Sequence, residues 1–430
     1  MSFQDRLLRA IPGGAHTYSR GYDQYPANAP EILARGSGAY VFDPAGRRYL
    51  DYGMALRAVN IGYAEPDIDA GAIQQINNGN NLTRASVIEL EAAELLVSLI
   101  DSVDMVKFTK NGSTAVSAAV KLARAYTGRE LVARCADHAF FSYDDWFIAS
   151  TPVLRGIPEE TLTKTKMFRY NDIASLESLI AAYPGQLACI VLEPAVTEEP
   201  RDGYLQKVAD LCKRNGIVFI LDEMITGFRW HMKGAQFLYG VTPDLCTFGK
   251  AMANGFSVAC VAGRRDIMEL GSIEFEGRER VFLLSTTHGA EMSGLGAFVA
   301  AMKFMQENDV VGHLWSYGSK LISLMQQRAE AYGVGHSFKA GGIPCSPHYA
   351  TLDAAGNNSL ALRTLFSQEL VRNGILMPWV ALSFRHGDAE LVATERALDS
   401  TFAIYRKALE DGIDKYLDGP VIKPVFRKFN

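Results

Sequence analysis

Three short segments carry residue types that together suit one kind of chemistry. Pro243-Asp244-Leu245-Cys246-Thr247-Phe248-Gly249-Lys250 is an apolar extended run that ends in a glycine and a lysine, followed by the small residues Ala251, Ala253 and Gly255. A lysine at the mouth of a strand among such neighbours gives up part of its hydration, which favours the neutral amine and makes it a nucleophile for a carbonyl carbon. Ile220-Leu221-Asp222-Glu223 sets an acidic pair at the C-terminal end of a buried strand, where open α/β sheets place ligand groups. A carboxylate buried there needs a cationic partner. Lys110-Asn111-Gly112-Ser113-Thr114 follows an extended run and opens a helix, so it offers N–H groups and the positive end of a helix dipole to a phosphate.

Each segment also has an ordinary structural explanation: a surface lysine opening a loop, a strand-end carboxylate capping a turn, a plain N-cap. Their conjunction, about 110 and 30 residues apart, is more specific. It suits pyridoxal phosphate, which has one phosphate to cradle, one ring nitrogen to keep protonated and one aldehyde to hold as an imine.

The elements that must position these residues alternate. From about residue 88 to 262, helical periods (Glu89–Ile100, Ser113–Tyr126, Tyr204–Arg214) are interleaved with short apolar runs (Met105–Thr109, Leu131–Cys135, Leu187–Leu192, Ile217–Leu221). Continuous apolar strands separated by one helix are the signature of βαβ units buried on both faces. Tyr40–Gly53 reads as a hairpin around the turn Asp43-Pro44-Ala45-Gly46. Beyond about residue 293 the pattern is helical again (Leu295–Glu307, Leu314–Tyr332), with a glycine-rich stretch at 333–342 and an amphipathic helix at Asp388–Leu409. The expected organisation is an N-terminal segment 1–60 joining a small domain, a large α/β domain at 61–300 and the rest of the small domain at 301–430.

Composition bounds the partners. The 430 residues are 48% apolar and 21% charged, with 43 basic against 48 acidic side chains, a balance of −5. That is an ordinary globular composition, and without a run of like charges it disfavours nucleic acid or an anionic lipid surface as a partner. The longest apolar stretches, Leu187–Leu192 and Ala251–Gly263, fall short of the ~20 residues of a membrane-spanning helix. The opening MSFQDRLLRAIPGG reads as neither a secretory signal nor a transit peptide. Cysteines 135, 189, 212, 246, 260 and 345 show no metal-finger spacing and read as reduced core thiols of a cytoplasmic protein; no metal site is expected.

The segments Asn111-Gly112-Ser113, Leu192-Glu193-Pro194, Leu221-Asp222-Glu223-Met224-Ile225-Thr226-Gly227-Phe228-Arg229 and Thr247-Phe248-Gly249-Lys250 resemble the class III aminotransferases, pyridoxal-phosphate enzymes of fold type I. The resemblance runs from about Ile11 to Leu409, and the glutamate-1-semialdehyde aminomutase-like branch is the most similar. It implies an α/β fold with a mostly parallel central sheet in the large domain and a smaller α+β domain built from both termini. Lys250 is then the Schiff-base lysine and proton shuttle, and Asp222 the partner of the pyridinium nitrogen. Asn111, Gly112 and Ser113 hold the phosphate, joined by Thr286 from the neighbouring subunit of a homodimer. Phe140 stacks on the ring. Thr17 and Arg20 match the segment that meets the substrate carboxylate, a role for which the arginine fork is suited, and Glu193 lies beside the substrate.

The chain departs from the family pattern at three places. His138-Ala139-Phe140-Phe141-Ser142 replaces Tyr-His-Gly, Met252-Ala253-Asn254-Gly255 replaces IGGG, and His288-Gly289-Ala290-Glu291 replaces SGNP. Ser142-Tyr143-Asp144-Asp145-Trp146-Phe147 offers polar and aromatic groups for a hydroxylated substrate, or a loop packed on its own aromatics. The resemblance implies transamination from L-glutamate with ping-pong kinetics. The expected acceptor is a sugar aldehyde such as 8-oxo-3,8-dideoxy-octulosonate of lipopolysaccharide biosynthesis, with glutamate-1-semialdehyde 2,1-aminomutase as the alternative.

Overall fold

The computed structural model describes residues 1–429, which divide into two compact units: 1–65 with 312–425, and 66–311 with the residues from 426 onward. The larger unit is built on a seven-stranded sheet. Across it lie Met105–Thr109, Ala259–Gly263, Leu245–Phe248, Val218–Asp222, Leu187–Leu192, Leu131–Cys135 and Thr165–Phe168. Only Ala259–Gly263 runs against its neighbours, so the other six strands point their C-terminal ends to one edge.

The strands Leu187–Leu192 and Val218–Asp222 are buried throughout. Alternate residues of each pack into opposite cores, as a period of two requires. Cys189, Val191, Val218 and Ile220 join one cluster with Val116, Val120 and Ala123 of the helix Gly112–Thr127. Ile190, Leu192, Phe219 and Leu221 join the other with Leu205, Val208 and Leu211 of the helix Tyr204–Asn215. Each such side chain contributes about 1.5–3 kcal/mol by leaving water, which is why the apolar runs were legible as strands. The helix Tyr204–Asn215 stops at Gly216, whose φ of 59° is left-handed, the conformation that Asn-Gly punctuation favours.

The smaller unit contains a four-stranded sheet, Arg35–Ser37, Tyr40–Phe42, Arg48–Asp51 and Ile375–Leu376. The expected hairpin is present, with Tyr40 opposite Leu50, and its turn is tied by Asp43 Oδ1, which accepts the N–H groups of Ala45 and Arg47. A second hairpin, Phe338–Ile343 with Ser346–Thr351, occupies much of what the sequence showed only as a glycine-rich stretch. Its Phe338 and Tyr349 rings pack with Phe366 and Phe402 from the helices Leu360–Arg372 and Asp388–Asp411.

One segment of this unit defies propensity. Met54, Ala55, Leu56 and Arg57 have φ of 38°, 47°, 62° and 67°, four consecutive left-handed residues without a glycine among them. Such a turn costs roughly 1–2 kcal/mol per residue. Asp51 holds it, accepting Gly53 N–H on Oδ1 and Met54 N–H and the Tyr63 hydroxyl on Oδ2, while Trp379 Nε1 donates to the Gly53 carbonyl. The turn borders a cavity of about 870 Å³.

All six cysteines are buried thiols, and burial pushes Cys135, Cys189 and Cys246 up to about 12. Among the described residues no helix is long and apolar enough to cross a membrane.

Candidate active site

Because six strands of the larger sheet share a direction, the segments that leave their C-terminal ends meet along one edge. Asp222 ends its strand there with a relative exposure of 2%. Its Oδ1 accepts Met224 N–H at 2.9 Å and the hydroxyl of Thr247 at 3.2 Å, Thr247 being its register partner on the next strand. Among the described residues Oδ2 accepts nothing. Burial pushes the carboxyl up to about 6, against the pull of the Lys250 ammonium. Residues 222 and 250 thus share one electrostatic neighbourhood.

Lys250 follows the strand Leu245–Phe248 by two residues and sits half-buried at φ 43°, a left-handed conformation that a lysine adopts at a cost and that marks a constrained site. The preceding Gly249 is required by space. A Cβ there would lie 2.6 Å from Met224 Sδ, and one on Gly112 would lie 2.9 Å from the same sulfur. Met224 therefore fits between the lysine turn and the start of the helix Gly112–Thr127 only because both positions are glycine.

That helix start is the expected cradle. Asn111 caps it, its Oδ1 accepting both the N–H and the hydroxyl of Thr114. The N–H groups of Gly112 and Ser113 find no acceptor among the described residues, so the first turn keeps two donors and the helix dipole for an anion. Ser113 Oγ accepts Tyr143 N–H at 3.3 Å and keeps its own hydrogen to give.

Thr286 lies exposed in a stretch without regular structure, where its carbonyl accepts Gly289 N–H. Glu291, at the position where the family pattern has proline, gives that stretch an anchor. Lys110 Nζ lies 2.6 Å from Glu291 Oε2, and Asn80 Nδ2 donates to Oε1 at 2.9 Å. Lys110 and Asn80 hold the Glu291 carboxyl below the usual range. This pair ties the residue before the cradle to the segment carrying Thr286.

Glu193, just past Leu192, is buried, and its N–H donates to His138 Nδ1 at 3.0 Å. Burial lowers His138 to about 4, so the ring is neutral. Phe140 is 48% exposed and meets Phe147 edge-on at 5.6 Å. Of the stretch that could serve either as pocket lining or as a loop packed on its own aromatics, Ser142, Trp146 and Phe147 are core. Trp146 Nε1 donates to Ser117 Oγ, which contacts Ser142 Oγ, so packing against the cradle helix claims them. Thr17 and Arg20 belong to the smaller unit, where Arg20 borders the 870 Å³ cavity together with Tyr25, Asp51 and Tyr63. Thr247 and Met224 escaped the sequence reading, since a register and a close approach place them.

A buried carboxylate with one unspent oxygen, unspent N–H groups at a helix start and a lysine within reach of that carboxylate's field fit the ring nitrogen, phosphate and aldehyde of pyridoxal phosphate. On a mostly parallel sheet this arrangement defines a fold type I pyridoxal-phosphate enzyme. The chain belongs to the aminotransferase class-III family, whose model matches residues 22–376. It is 30% identical over 419 residues to 3-aminobutyryl-CoA aminotransferase of Cloacimonas acidaminovorans (strain Evry), covering 95% of this chain and 98% of that one. Among solved structures it is similar to the internal aldimine form of FumI from Sphingopyxis sp. MTA144 (TM-score 0.86, 24% identity, 95% of this chain and 97% of the other). It is also similar to an omega-transaminase from Sphaerobacter thermophilus (TM-score 0.82, 27% identity, 94% and 97%). It is a pyridoxal-phosphate-dependent aminotransferase.

Proposed function

We propose that this aminotransferase takes its amino group from L-glutamate and delivers it to the aldehyde of an oxidised sugar acid such as 8-oxo-3,8-dideoxy-octulosonate, with both half-reactions sharing one site. The observation that carries the chemistry is the buried Asp222 carboxylate, with Oδ2 unspent and Lys250 in its field. Pyridoxal phosphate, when bound, supplies an aldehyde for amines and an electron-accepting ring. Asp222 keeps the ring nitrogen protonated by offering it an anion where water is excluded. Lys250 Nζ, as the free amine, would take the α-proton of the donor as a general base and, as the ammonium so formed, would give it up as a general acid.

The first-turn N–H groups of Gly112 and Ser113, with Ser113 Oγ and the Asn111 cap, hold the phosphate. Thr286 of a second copy completes that cradle. Exposed Ile73, Ile76, Leu82, Val87 and Leu90, close in sequence on the larger unit, support burial of this face in a homodimer. Phe140 covers the ring, Thr17 and Arg20 receive the donor carboxylate, and Glu193 lies beside the substrate. The enzyme works in the cytoplasm.

A hydroxylated acid is supported by the segments Lys110-Asn111-Gly112-Ser113 and Thr286-Thr287-His288-Gly289-Ala290-Glu291, which resemble those of transaminases of surface-sugar biosynthesis. A second reading follows from the relative named above: an acceptor that is a β-oxo acyl thioester.

A two-stage experiment tests the proposal. Purified enzyme should carry a cofactor band that borohydride fixes to Lys250, and glutamate should change that band and release 2-oxoglutarate. The aminated enzyme is then offered the oxidised octulosonate, 3-oxobutyryl-CoA and other aldehydes. Fastest return of the band with the octulosonate is expected. Fastest return with the thioester selects the second reading. A spectrum indifferent to glutamate, together with isomerisation of glutamate-1-semialdehyde, makes the enzyme an aminomutase.

A further inference from the structure

Tyr143 has an unusual setting for a surface phenol. Its residue is 60% exposed, yet its backbone is fixed against the cradle helix. Tyr143 N–H donates to Ser113 Oγ at 3.3 Å, the preceding Ser142 Oγ donates to the Ser113 carbonyl at 3.3 Å, and Asp144 N–H returns to Ser142 Oγ at 3.1 Å. Ser142 is buried and contacts Ser117 Oγ at 2.9 Å, one turn further along the helix. The main chain is therefore held firmly, while the side chain has one long contact.

The phenol oxygen lies 3.3 Å from Thr114 Oγ1. Proton counting assigns the direction of this contact. Thr114 has one hydroxyl hydrogen, and it goes to Asn111 Oδ1 at 3.0 Å, so the tyrosine must be the donor. At 3.3 Å the bond is long for O–H···O, which has its mode near 2.7–2.8 Å, and is readily exchanged for a better acceptor. The same first turn holds the unspent N–H groups of Gly112 and Ser113. Tyr143 thus brings a third kind of donor to the mouth of the cradle, on a main chain that is itself bonded to Ser113.

We propose that Tyr143 is a further cofactor-binding residue, its hydroxyl leaving Thr114 Oγ1 to donate to an oxygen of the cofactor phosphate held by Gly112 and Ser113. This rests on the assignment of those two residues to the phosphate. A phosphate oxygen is charged, and hydrogen bonds to charged acceptors are about twice as strong as the neutral contact they replace. Ser142 Oγ is spent on the Ser113 carbonyl and Trp146 Nε1 on Ser117 Oγ, and Asp144 and Asp145 bear carboxylates, so the phenol is the donor this short run leaves for the phosphate.

The test compares two aldehydes that differ only in the phosphate. Apo-enzyme and its Tyr143→Phe variant are titrated with pyridoxal phosphate and with pyridoxal, following the absorption band and its borohydride fixation at Lys250. The variant removes one exposed oxygen. Its dissociation constant for pyridoxal phosphate is expected to rise about 5- to 20-fold, with that for pyridoxal unchanged. Equal weakening of both aldehydes, or of neither, overturns the role of Tyr143. If wild-type enzyme holds pyridoxal as tightly as pyridoxal phosphate, the cradle assignment itself fails, and the proposal with it; that outcome is read from the wild type alone.

Discussion

Replacing Asp222 with asparagine should stabilise the empty enzyme and disable the loaded one. Burial raises this carboxyl from its ordinary 3.8 to about 6. An acid whose pKa is raised on folding binds its proton more tightly in the folded chain, so ionisation costs stability above pH 6 and the cost fades as pH falls towards 3.8. At about 1.4 kcal/mol per tenfold in proton affinity, the cost is about 3 kcal/mol at pH 8 and roughly half that at pH 5.

Asparagine carries no charge, and its Oδ1 keeps the bonds from Met224 N–H and Thr247 Oγ1. Its amide nitrogen takes the place of Oδ2 as an unmade donor, at a cost of about 1 kcal/mol. Apo Asp222→Asn is therefore expected to exceed apo wild type by about 2 kcal/mol at pH 8, shrinking to under 1 kcal/mol at pH 5. Where Asp222 pairs with the cofactor's cationic nitrogen, as proposed, the order would reverse. Loss of one partner of a buried ion pair costs about 3–5 kcal/mol, so release of 2-oxoglutarate from glutamate should slow by roughly two to four decades. The assays are urea unfolding of the apo-proteins at both pH values and single-turnover kinetics with glutamate. An apo variant less stable than wild type at pH 8, or one whose advantage is equal at pH 5, refutes the reasoning.

His386, fully buried in the smaller unit and lowered to about 4 by burial, has the opposite sign: stability is present above pH 6.5 and lost as pH falls from there towards 4. His386→Asn should flatten the acid limb of an unfolding-versus-pH curve measured on apo-protein, and an unaltered limb would show that other groups set it. Gly249→Ala drives a Cβ to 2.6 Å from Met224 Sδ and should cost about 1–3 kcal/mol by overpacking. Adding Met224→Ala should recover part of that, and a double-mutant cycle with no coupling would refute the contact.

The parts of the site legible in the sequence are those fixed by strand ends. Asp222, Lys250 and Asn111-Gly112-Ser113 each follow an apolar run long enough to read as a buried strand, and parallel direction then brings such ends to one edge. Thr247 was invisible as a partner because its role depends on register, which pairs it with Asp222 across two strands 25 residues apart. The second hairpin escaped because Gly341, Gly342 and Pro347 interrupt the alternation that marks a strand, and a two-stranded ribbon tolerates them. Ser142–Phe147 could be read as pocket lining or as aromatic packing because its polar and aromatic types suit either role; the hydrogen-bonded chain from Trp146 through Ser117 to Ser142 decides for packing. The Glu291 anchor for Lys110 could not be foreseen across 181 positions.

Met54–Arg57 has a consequence for the heat tolerance of the enzyme. Four residues wound against their natural hand carry about 4–8 kcal/mol together, which rivals the entire margin of about 5–15 kcal/mol by which a typical domain stays folded. Glycine is indifferent to handedness. Ala55, half-exposed and small, is thus a place where removing a single methyl group leaves the wound shape intact and raises the melting point of the unit that contains it.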